Sequence, residues 1–152
     1  MSIPETIPRV IPRLFCRDPG NEIDFCRDVF DATVQNRRDD LSGKLVHALV
    51  GIGPALVMIE SEWEQVSNRA PEMNGSTPVV LYVYVDDVDA TARKATARGA
   101  RTLSPAEDQP WGDRTAWLLD PQGHVWTVAS RVEEMSEEER RRRILERQQG
   151  SS

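Results

Sequence analysis

The sequence predicts an α+β domain in which two tandem β-α-β-β-β modules form a curled mixed sheet around a cleft, with an added C-terminal helix. The prediction rests on a pattern that occurs twice: a short apolar strand, an aspartate-rich turn, an amphipathic helix, and then only short alternating strands. The first copy spans about residues 8–62 and the second about 78–130. Because the copies share one cleft, we expect any ligand site to lie there.

The first module opens with an apolar strand over 10–16 and an amphipathic helix. Asp18 followed by Pro19 is typical of a helix N-cap with proline in the first turn, and Asp31 tolerates the left-handed backbone that ends a helix. The buried stripe of this helix recurs at helical spacing and comprises Ile23, Cys26, Val29 and Phe30. Three strands follow, at about 32–37, 44–50 and 55–60.

A polar linker, 61–77, joins the modules, and its Trp63 and Met73 leave two interpretations open: a loop packed on the body, or a flap over the cleft. The second module begins with the apolar run 79–85. Asp86 or Asp87 caps its helix, and the strands are predicted near 100–104, 113–119 and 124–130. Residues 120–123 form a turn between the last two strands.

The tail, 133–152, predicts a charged helix outside the main domain of residues 1–132. Ser136 with Glu139 forms a capping box. Three Glu-to-Arg pairs have i,i+4 spacing: Glu137–Arg141, Glu138–Arg142 and Glu139–Arg143. With few apolar anchors, the helix is expected to be solvated and to lie away from the cleft.

Composition restricts the function classes. The net charge of −6 argues against a nucleic-acid surface, and the tail arginines alternate with glutamates. We find no apolar run of membrane-spanning length and no signal-peptide pattern, so we expect a cytoplasmic protein with no membrane partner. Cys16 and Cys26 lack metal-site spacing and are interpreted as reduced core thiols.

Three segments carry a family resemblance: Asp86-Asp-Val-Asp-Ala90, Trp111-Gly-Asp-Arg114 and Asp120-Pro-Gln-Gly-His-Val-Trp126. With the paired modules, residues 8–130 resemble the vicinal oxygen chelate superfamily, which holds glyoxalase I, bleomycin-resistance proteins, fosfomycin-resistance enzymes and extradiol dioxygenases. The segments are most similar to its uncharacterised glyoxalase/bleomycin-resistance branch. The resemblance implies a cleft between half-sheets and a homodimer, but it does not select one activity.

Enzymes of this superfamily hold a divalent metal with ligands from the first and last strands of each module. Laid onto this chain, the resemblance supplies Glu60, while the other positions fall near Ile11, Val80 and Thr127. A catalytic divalent site needs about three protein ligands. We therefore expect no metal cofactor. The alternative is a divalent metal recruited through Glu60 and His47.

The candidate ligand-binding residues are Glu60 itself, residues in strand phase with the metal positions, His47 on the hairpin strand next to Glu60, and residues of the loop that borders the cleft in the family. They are Arg13, Phe15, His47, Met58, Glu60, Tyr82, Tyr84, Trp111 and Arg114. Trp111 either stacks on a ligand or staples its loop, and Asp113 and Arg114 are expected to pair. Trp117 and Trp126 are assigned to core or dimer packing. No catalytic residue is assigned.

Two function classes follow from these residues. The first is a metal-independent protein that sequesters an aromatic or amphiphilic small molecule, such as an antibiotic or a metabolite, because the lining combines rings with a few polar groups. The second is a metal-dependent lyase, isomerase or dioxygenase that uses Glu60 and His47. A weaker option is a domain whose terminal helix docks a partner.

Overall fold

The computed structural model describes residues 1–151 and contains two β-α-β-β-β modules followed by a helix, as the sequence predicts. The first module comprises β1 (Arg13–Cys16), α1 (Pro19–Phe30), β2 (Thr33–Asp39), β3 (Leu45–Ile52) and β4 (Ala55–Ser61). The second comprises β5 (Leu81–Tyr84), α2 (Val88–Ala97), β6 (Arg101–Asp108), β7 (Asp113–Leu119) and β8 (Val125–Arg131). A 3-10 turn (Glu64–Val66) lies in the linker, and α3 (Glu137–Gly150) ends the chain.

Each module forms its own four-stranded mixed sheet. The strand orders are equivalent, β1-β4-β3-β2 in the first module and β5-β8-β7-β6 in the second. The first and last strands of each module pair in parallel, and the remaining neighbours are antiparallel. The last strand therefore lies in the interior of its sheet, beside the strand that opens the module.

The helix boundaries follow the capping residues. The Asp18 side chain accepts a hydrogen bond from the Asn21 amide at 3.0 Å, and Asp87 accepts one from the Ala90 amide at 2.9 Å. Asp31 adopts the left-handed conformation with φ of 53° and ends α1. Asp18 and Asp87 fix the points where the chain leaves β1 and β5, which are edge strands of their four-stranded sheets, and turns onto the sheet.

One face of each sheet is covered by its helix, and the hydrophobic core continues across both modules. The rings of Phe30, from α1, and Trp126, from β8, lie 4.7 Å apart between centroids. Trp126 is fully buried, as predicted, whereas Trp117 points to the other side of its sheet and is 43% exposed. We call the side of each sheet opposite its helix the open face.

The seam between the modules is polar as well as apolar. The imidazole Nε2 of His124 lies 2.9 Å from the Phe15 carbonyl oxygen, and the Asp18 amide donates to the Gln122 side chain at 2.8 Å. The end of β1 and the N-cap of α1 are thereby joined directly to the β7–β8 turn.

A buried carboxyl pair also joins the modules. Glu22 of α1 is fully buried, and one of its oxygens, Oε2, has no hydrogen-bond partner among the described residues. Burial and the neighbouring Asp120 carboxylate raise the pKa of Glu22 well above its usual range. Asp120 accepts hydrogen bonds from the amides of Gln122 and His124 and from the Trp126 indole. We therefore describe Glu22 as the protonated member of the pair.

The linker packs on the body of the protein, as one of the two interpretations predicted. The Arg17 side chain donates to the Pro71 carbonyl oxygen at 2.9 Å. A Cβ at Gly123 would lie only 2.8 Å from that same oxygen. The linker thus contacts both modules, while Trp63 and Met73 remain half exposed.

The terminal helix α3 differs from its prediction. The Ser136 hydroxyl caps it by accepting from the Glu139 amide at 3.1 Å, as expected. Of the three predicted i,i+4 pairs, the structure forms Glu139–Arg143, at 2.7 Å. Glu137–Arg140 and Glu139–Arg142 have i,i+3 spacing, and Arg142–Glu146 is an i,i+4 pair in the reverse order. The helix packs against the loop 109–112 instead of lying free in solvent. No helix among residues 1–151 combines the length and apolarity needed to span a bilayer.

Candidate functional site

Five of the predicted site residues lie on the open face of the first module. Strand pairing places them side by side, in the pairs Arg13–Met58, Phe15–Glu60 and His47–Glu60. The guanidinium of Arg13 donates to both carboxylate oxygens of Glu60, from Nε at 2.6 Å and from Nη2 at 3.0 Å. The same guanidinium lies 5.1 Å from the centroid of the Phe15 ring, within cation–π range.

The Glu60 carboxylate is therefore held as an anion by a neighbour. The hydrogen bond from Arg13 lowers the pKa of Glu60 from its usual value of 4.5, despite partial burial. His47 Nδ1 lies 3.8 Å from Glu60 Oε2, too far for a good hydrogen bond. Each oxygen of Glu60 accepts a hydrogen bond from Arg13, so a cation at this carboxylate would compete with the guanidinium.

The open face of the second module carries a tighter network centred on Asp113. The hydroxyls of Tyr82 and Tyr84 both donate to Asp113 Oδ2, at 2.7 and 2.8 Å. Arg131 Nε donates to Oδ1 at 2.5 Å, and its Nη2 donates to the Tyr84 oxygen at 3.1 Å. Asp113 is 1% exposed; burial opposes its ionisation, but these hydrogen bonds outweigh that effect and lower the pKa of Asp113.

Trp111 extends this network to the loop before β7. Its indole Nε1 donates to the Tyr82 hydroxyl oxygen at 3.3 Å. Burial and the hydrogen bond to Asp113 raise the pKa of Tyr82 to about 12, so Tyr82 stays protonated and keeps its orientation. The two tyrosines are nonetheless 47% and 57% exposed. Their hydroxyls are used inside the network while much of each side chain remains accessible.

Arg114 is not part of this site, and the predicted Asp113–Arg114 pair is wrong. The Arg114 guanidinium instead donates to Asp89 of α2, at 2.8 and 3.0 Å, and to Asp108 of β6, at 3.0 Å. Successive side chains of a strand point to opposite faces of the sheet, so Asp113 and Arg114 face different sides. Arg114 ties the helix to the covered face. Asp113 pairs instead with Arg131, which was not among the predicted site residues. Arg131 lies four residues after Thr127 on β8, and this even spacing predicts that both side chains lie on the same face of the sheet.

The residues at the expected metal positions do not fit a metal site. Glu60 pairs with Phe15, three residues before the cap Asp18; in the second module Tyr84, three before Asp87, pairs with Ala129. The counterpart of Glu60 is thus Ala129, two residues from the expected Thr127, and neither binds a metal strongly. Within residues 1–151, no three His, Cys, Asp or Glu side chains are grouped closely enough to hold a metal ion.

A cavity of about 280 Å³ lies on the seam where the modules meet. Arg13 and Phe15 of β1 and Leu81 of β5 contribute to its wall, with Val125 of β8. Of the predicted site residues, Arg13 and Phe15 belong to this wall. On the open faces of the two modules, the predicted residues form two clusters. The first is charged, with Arg13, Glu60 and His47; the second is aromatic, with Tyr82, Tyr84 and Trp111.

Comparison with known proteins agrees with this architecture. An uncharacterised protein of Mycobacterium bovis is 36% identical over 135 residues, covering 87% of this chain and 89% of the relative. TioX from Micromonospora sp. ML1 superposes with a TM-score of 0.64 at 28% identity, covering 82% of this chain and 98% of that one. The fosfomycin resistance protein FosX from Mesorhizobium loti shares the fold, with a TM-score of 0.60 at 16% identity over 91% and 98% of the two chains.

The family assignment rests on most of the chain. Residues 6–128 match the model of the Glyoxalase/Bleomycin resistance protein/Dioxygenase superfamily. This range includes the first module and the second module as far as the middle of β8, so that Arg131 lies outside it. With the paired sheets and the seam described above, the match shows that the chain belongs to the glyoxalase/bleomycin resistance protein/dioxygenase superfamily.

Proposed function

We propose that this protein is a metal-independent small-molecule-binding protein that sequesters an aromatic or amphiphilic ligand between its modules. One observation carries the proposal: Tyr82 and Tyr84 are held by Asp113 and Arg131, yet both remain about half exposed on the open face. Rings whose orientation is already fixed lose little conformational freedom when a planar ligand stacks on them.

The polar groups around these rings supply orientation. Arg131 of the second module and Arg13 of the first are only partly exposed, and each is neutralised by a carboxylate. The lining is therefore close to neutral, which favours a ligand that is mostly apolar with a few hydrogen-bonding groups. The family includes bleomycin-resistance proteins, and one fold relative is described as a fosfomycin resistance protein, which supports an antibiotic or metabolite as the ligand class.

A metal-dependent lyase, isomerase or dioxygenase is the second candidate. The observation in its favour is the approach of His47 to within 3.8 Å of Glu60. Two potential ligands fall short of the three that a catalytic divalent site uses, and Arg13 holds both oxygens of Glu60. The binding-protein proposal is therefore preferred. The homodimer implied by the resemblance stays a prediction, and Trp117 is an exposed side chain that such contact would cover.

Titration with N-phenyl-1-naphthylamine, a neutral aromatic probe whose emission rises in apolar sites, tests the proposal. We expect saturable binding that quenches tryptophan emission. Trp111→Ala should weaken binding by roughly 1–3 kcal/mol, as for a buried aromatic contact. Trp63→Ala, in the linker, is the matched control and should bind as the unmodified protein does. Unchanged affinity in Trp111→Ala would assign Trp111 a purely structural role.

Elemental analysis of the purified protein separates the two candidates. We expect well under one equivalent of nickel, zinc, iron or manganese per chain. Stoichiometric metal that is lost in Glu60→Ala would overturn the binding-protein proposal in favour of the metal-dependent enzyme.

A further inference from the structure

The terminal helix α3 presents one face to the body of the protein, and the side chains of that face that reach the body are mainly arginines. The residues of α3 that are partly covered recur at the spacing of one helical face: Glu139, Arg140, Arg143 and Ile144. Arg147 follows at the same spacing and also contacts the body. No residue of α3 is fully buried, so the helix contributes little to the hydrophobic core and contacts the body mainly through these side chains.

Two of the arginines bind the loop that carries Trp111. Arg140 Nε donates to the backbone carbonyl oxygen of Trp111 at 3.2 Å. Arg147 Nη1 donates to the side-chain oxygen of Gln109 at 2.9 Å, at the start of the same loop. The helix therefore contacts the loop at both ends of the segment 109–111. The Trp111 indole makes a separate hydrogen bond, to Tyr82.

The junction between β8 and α3 binds the same loop through the backbone. The amides of Val132 and Glu133 both donate to the Gly112 carbonyl oxygen, at 2.9 and 3.1 Å. Arg143 in turn donates to both carboxylate oxygens of Glu133, at 2.7 and 2.8 Å. Gly112 has φ of 96°, and a Cβ there would lie 2.4 Å from the Glu133 carbonyl oxygen, so the close approach requires glycine.

A continuous series of hydrogen bonds thus runs from α3 to the aromatic cluster. It passes from Arg140 to the Trp111 backbone and from the Trp111 indole to Tyr82, which donates to the buried Asp113. Within the loop itself, the Gly112 amide donates to the Gln109 carbonyl oxygen, and the Gln109 amide donates to that of Asp113. With so few internal bonds, the position of the loop depends on what holds it from outside.

We propose that α3 is a strap that holds the Trp111 loop against Tyr82, with Arg140 as the positioning residue, so that ligand binding on the aromatic open face depends on the terminal helix. The part that concerns ligand binding rests on the proposed function; the part that concerns loop position does not. The strap acts on the backbone of Trp111, because Arg140 touches the carbonyl oxygen and not the indole.

The test compares Arg140→Met with Arg141→Met, a matched change at an exposed position of the same helix, and with Arg140→Lys, which keeps a donor. Hydrogen–deuterium exchange reports the loop without any ligand. In Arg140→Met we expect exchange of the 109–113 segment to be about two- to tenfold faster, the change that one lost hydrogen bond supports. Exchange of β8 should stay unchanged, and Arg140→Lys should restore part of the protection.

Titration of the same variants with N-phenyl-1-naphthylamine reports binding. Arg140→Met should bind about two- to tenfold more weakly than Arg141→Met. Unchanged loop exchange in Arg140→Met would overturn the strap itself. A loosened loop with unchanged affinity would overturn its link to binding. If the unmodified protein does not bind the probe, the proposed function fails while the exchange result still decides whether α3 positions the loop.

Discussion

The two modules have the same strand order, yet each neutralises a buried carboxylate on its open face in a different way. In the first, Glu60 is held by Arg13 from the neighbouring parallel strand. In the second, the residue paired with Tyr84 is Ala129, and the carboxylate comes from Asp113 at the start of β7, held by two tyrosines and Arg131.

This difference shows how one fold supports unequal surfaces. The first module keeps a carboxylate near an imidazole, the kind of donor set from which a metal site is built, but an arginine occupies it. The second module instead carries aromatic rings on its open face, and the hydroxyls of Tyr82 and Tyr84 donate to the buried Asp113 carboxylate. Under the proposed function, the partly exposed rings of the second module would supply most of the ligand contacts.

Removing each carboxylate should give unequal losses. Asp113→Ala leaves one guanidinium and two hydroxyls without their acceptor, and we expect the free energy of unfolding to fall by about 2–4 kcal/mol. Glu60→Ala releases a half-exposed Arg13 and should cost about 1 kcal/mol or less. Urea denaturation followed by circular dichroism measures both. Equal losses would contradict the contrast between the modules, and Asp113→Asn serves as the variant that preserves shape.

The second prediction concerns the buried carboxyl pair, Glu22 and Asp120, that joins the modules, and it depends on pH. The pKa of Glu22 is higher in the folded state than in the unfolded state, so Glu22 lowers the free energy of unfolding at high pH. This loss is absent below the unfolded-state pKa and grows as the pH rises above it. Glu22→Gln should therefore raise Tm at pH 8 by about 2–4 °C, the shift given by ~1 kcal/mol in a domain this size, and by less at pH 5.

Asp24→Asn, on the exposed side of the same helix, controls for the change in net charge. A Glu22→Gln variant that is destabilised at pH 8 would show that Glu22 is not the protonated member of the pair.

The smallest expected effect concerns how the stability of the protein declines at acidic pH. The folded-state pKa of Glu60 is lowered from 4.5, so its contribution is fully present above that value and is lost as the pH falls through the folded-state pKa. Glu60→Gln should flatten the decline of stability below about pH 4.5 by less than ~1 kcal/mol. Thermal melts from pH 3 to 6 measure it, with the exposed Glu64→Gln as control. A decline as steep as in the unmodified protein would argue against the Arg13–Glu60 pair in solution.

Local signals were enough to predict the fold. The first helix start was predicted at Asp18 or Asn21 and the second at Asp86 or Asp87, and the structure has Asp18 and Asp87 as the caps. Asp31 predicted the end of α1, because such residues act through their immediate neighbours. The run 79–85 was predicted as a longer strand than the four residues of β5, since only residues paired with β8 become strand. The order of elements did not depend on that length.

The candidate site was predicted less well, because its contacts join distant residues. Strand phase correctly placed Tyr82 and Tyr84 on one face, but Arg131 lies 18 positions after Asp113 and was not considered. Adjacent residues suggested an Asp113–Arg114 pair that alternation in a strand forbids. The docking of α3 has no apolar signal in the sequence, because Arg140 docks by donating to the backbone carbonyl oxygen of Trp111.

The linker has a consequence for how two copies of this chain can associate. It is bonded to Arg17 in the first module, and Pro71 lies against Gly123 in the second, so the linker braces both modules against each other. Exchange of a module between two chains would require these contacts to break together with the Phe30–Trp126 packing of the shared core. A swapped dimer would re-form the same contacts between chains, so the linker slows such an exchange without excluding its product.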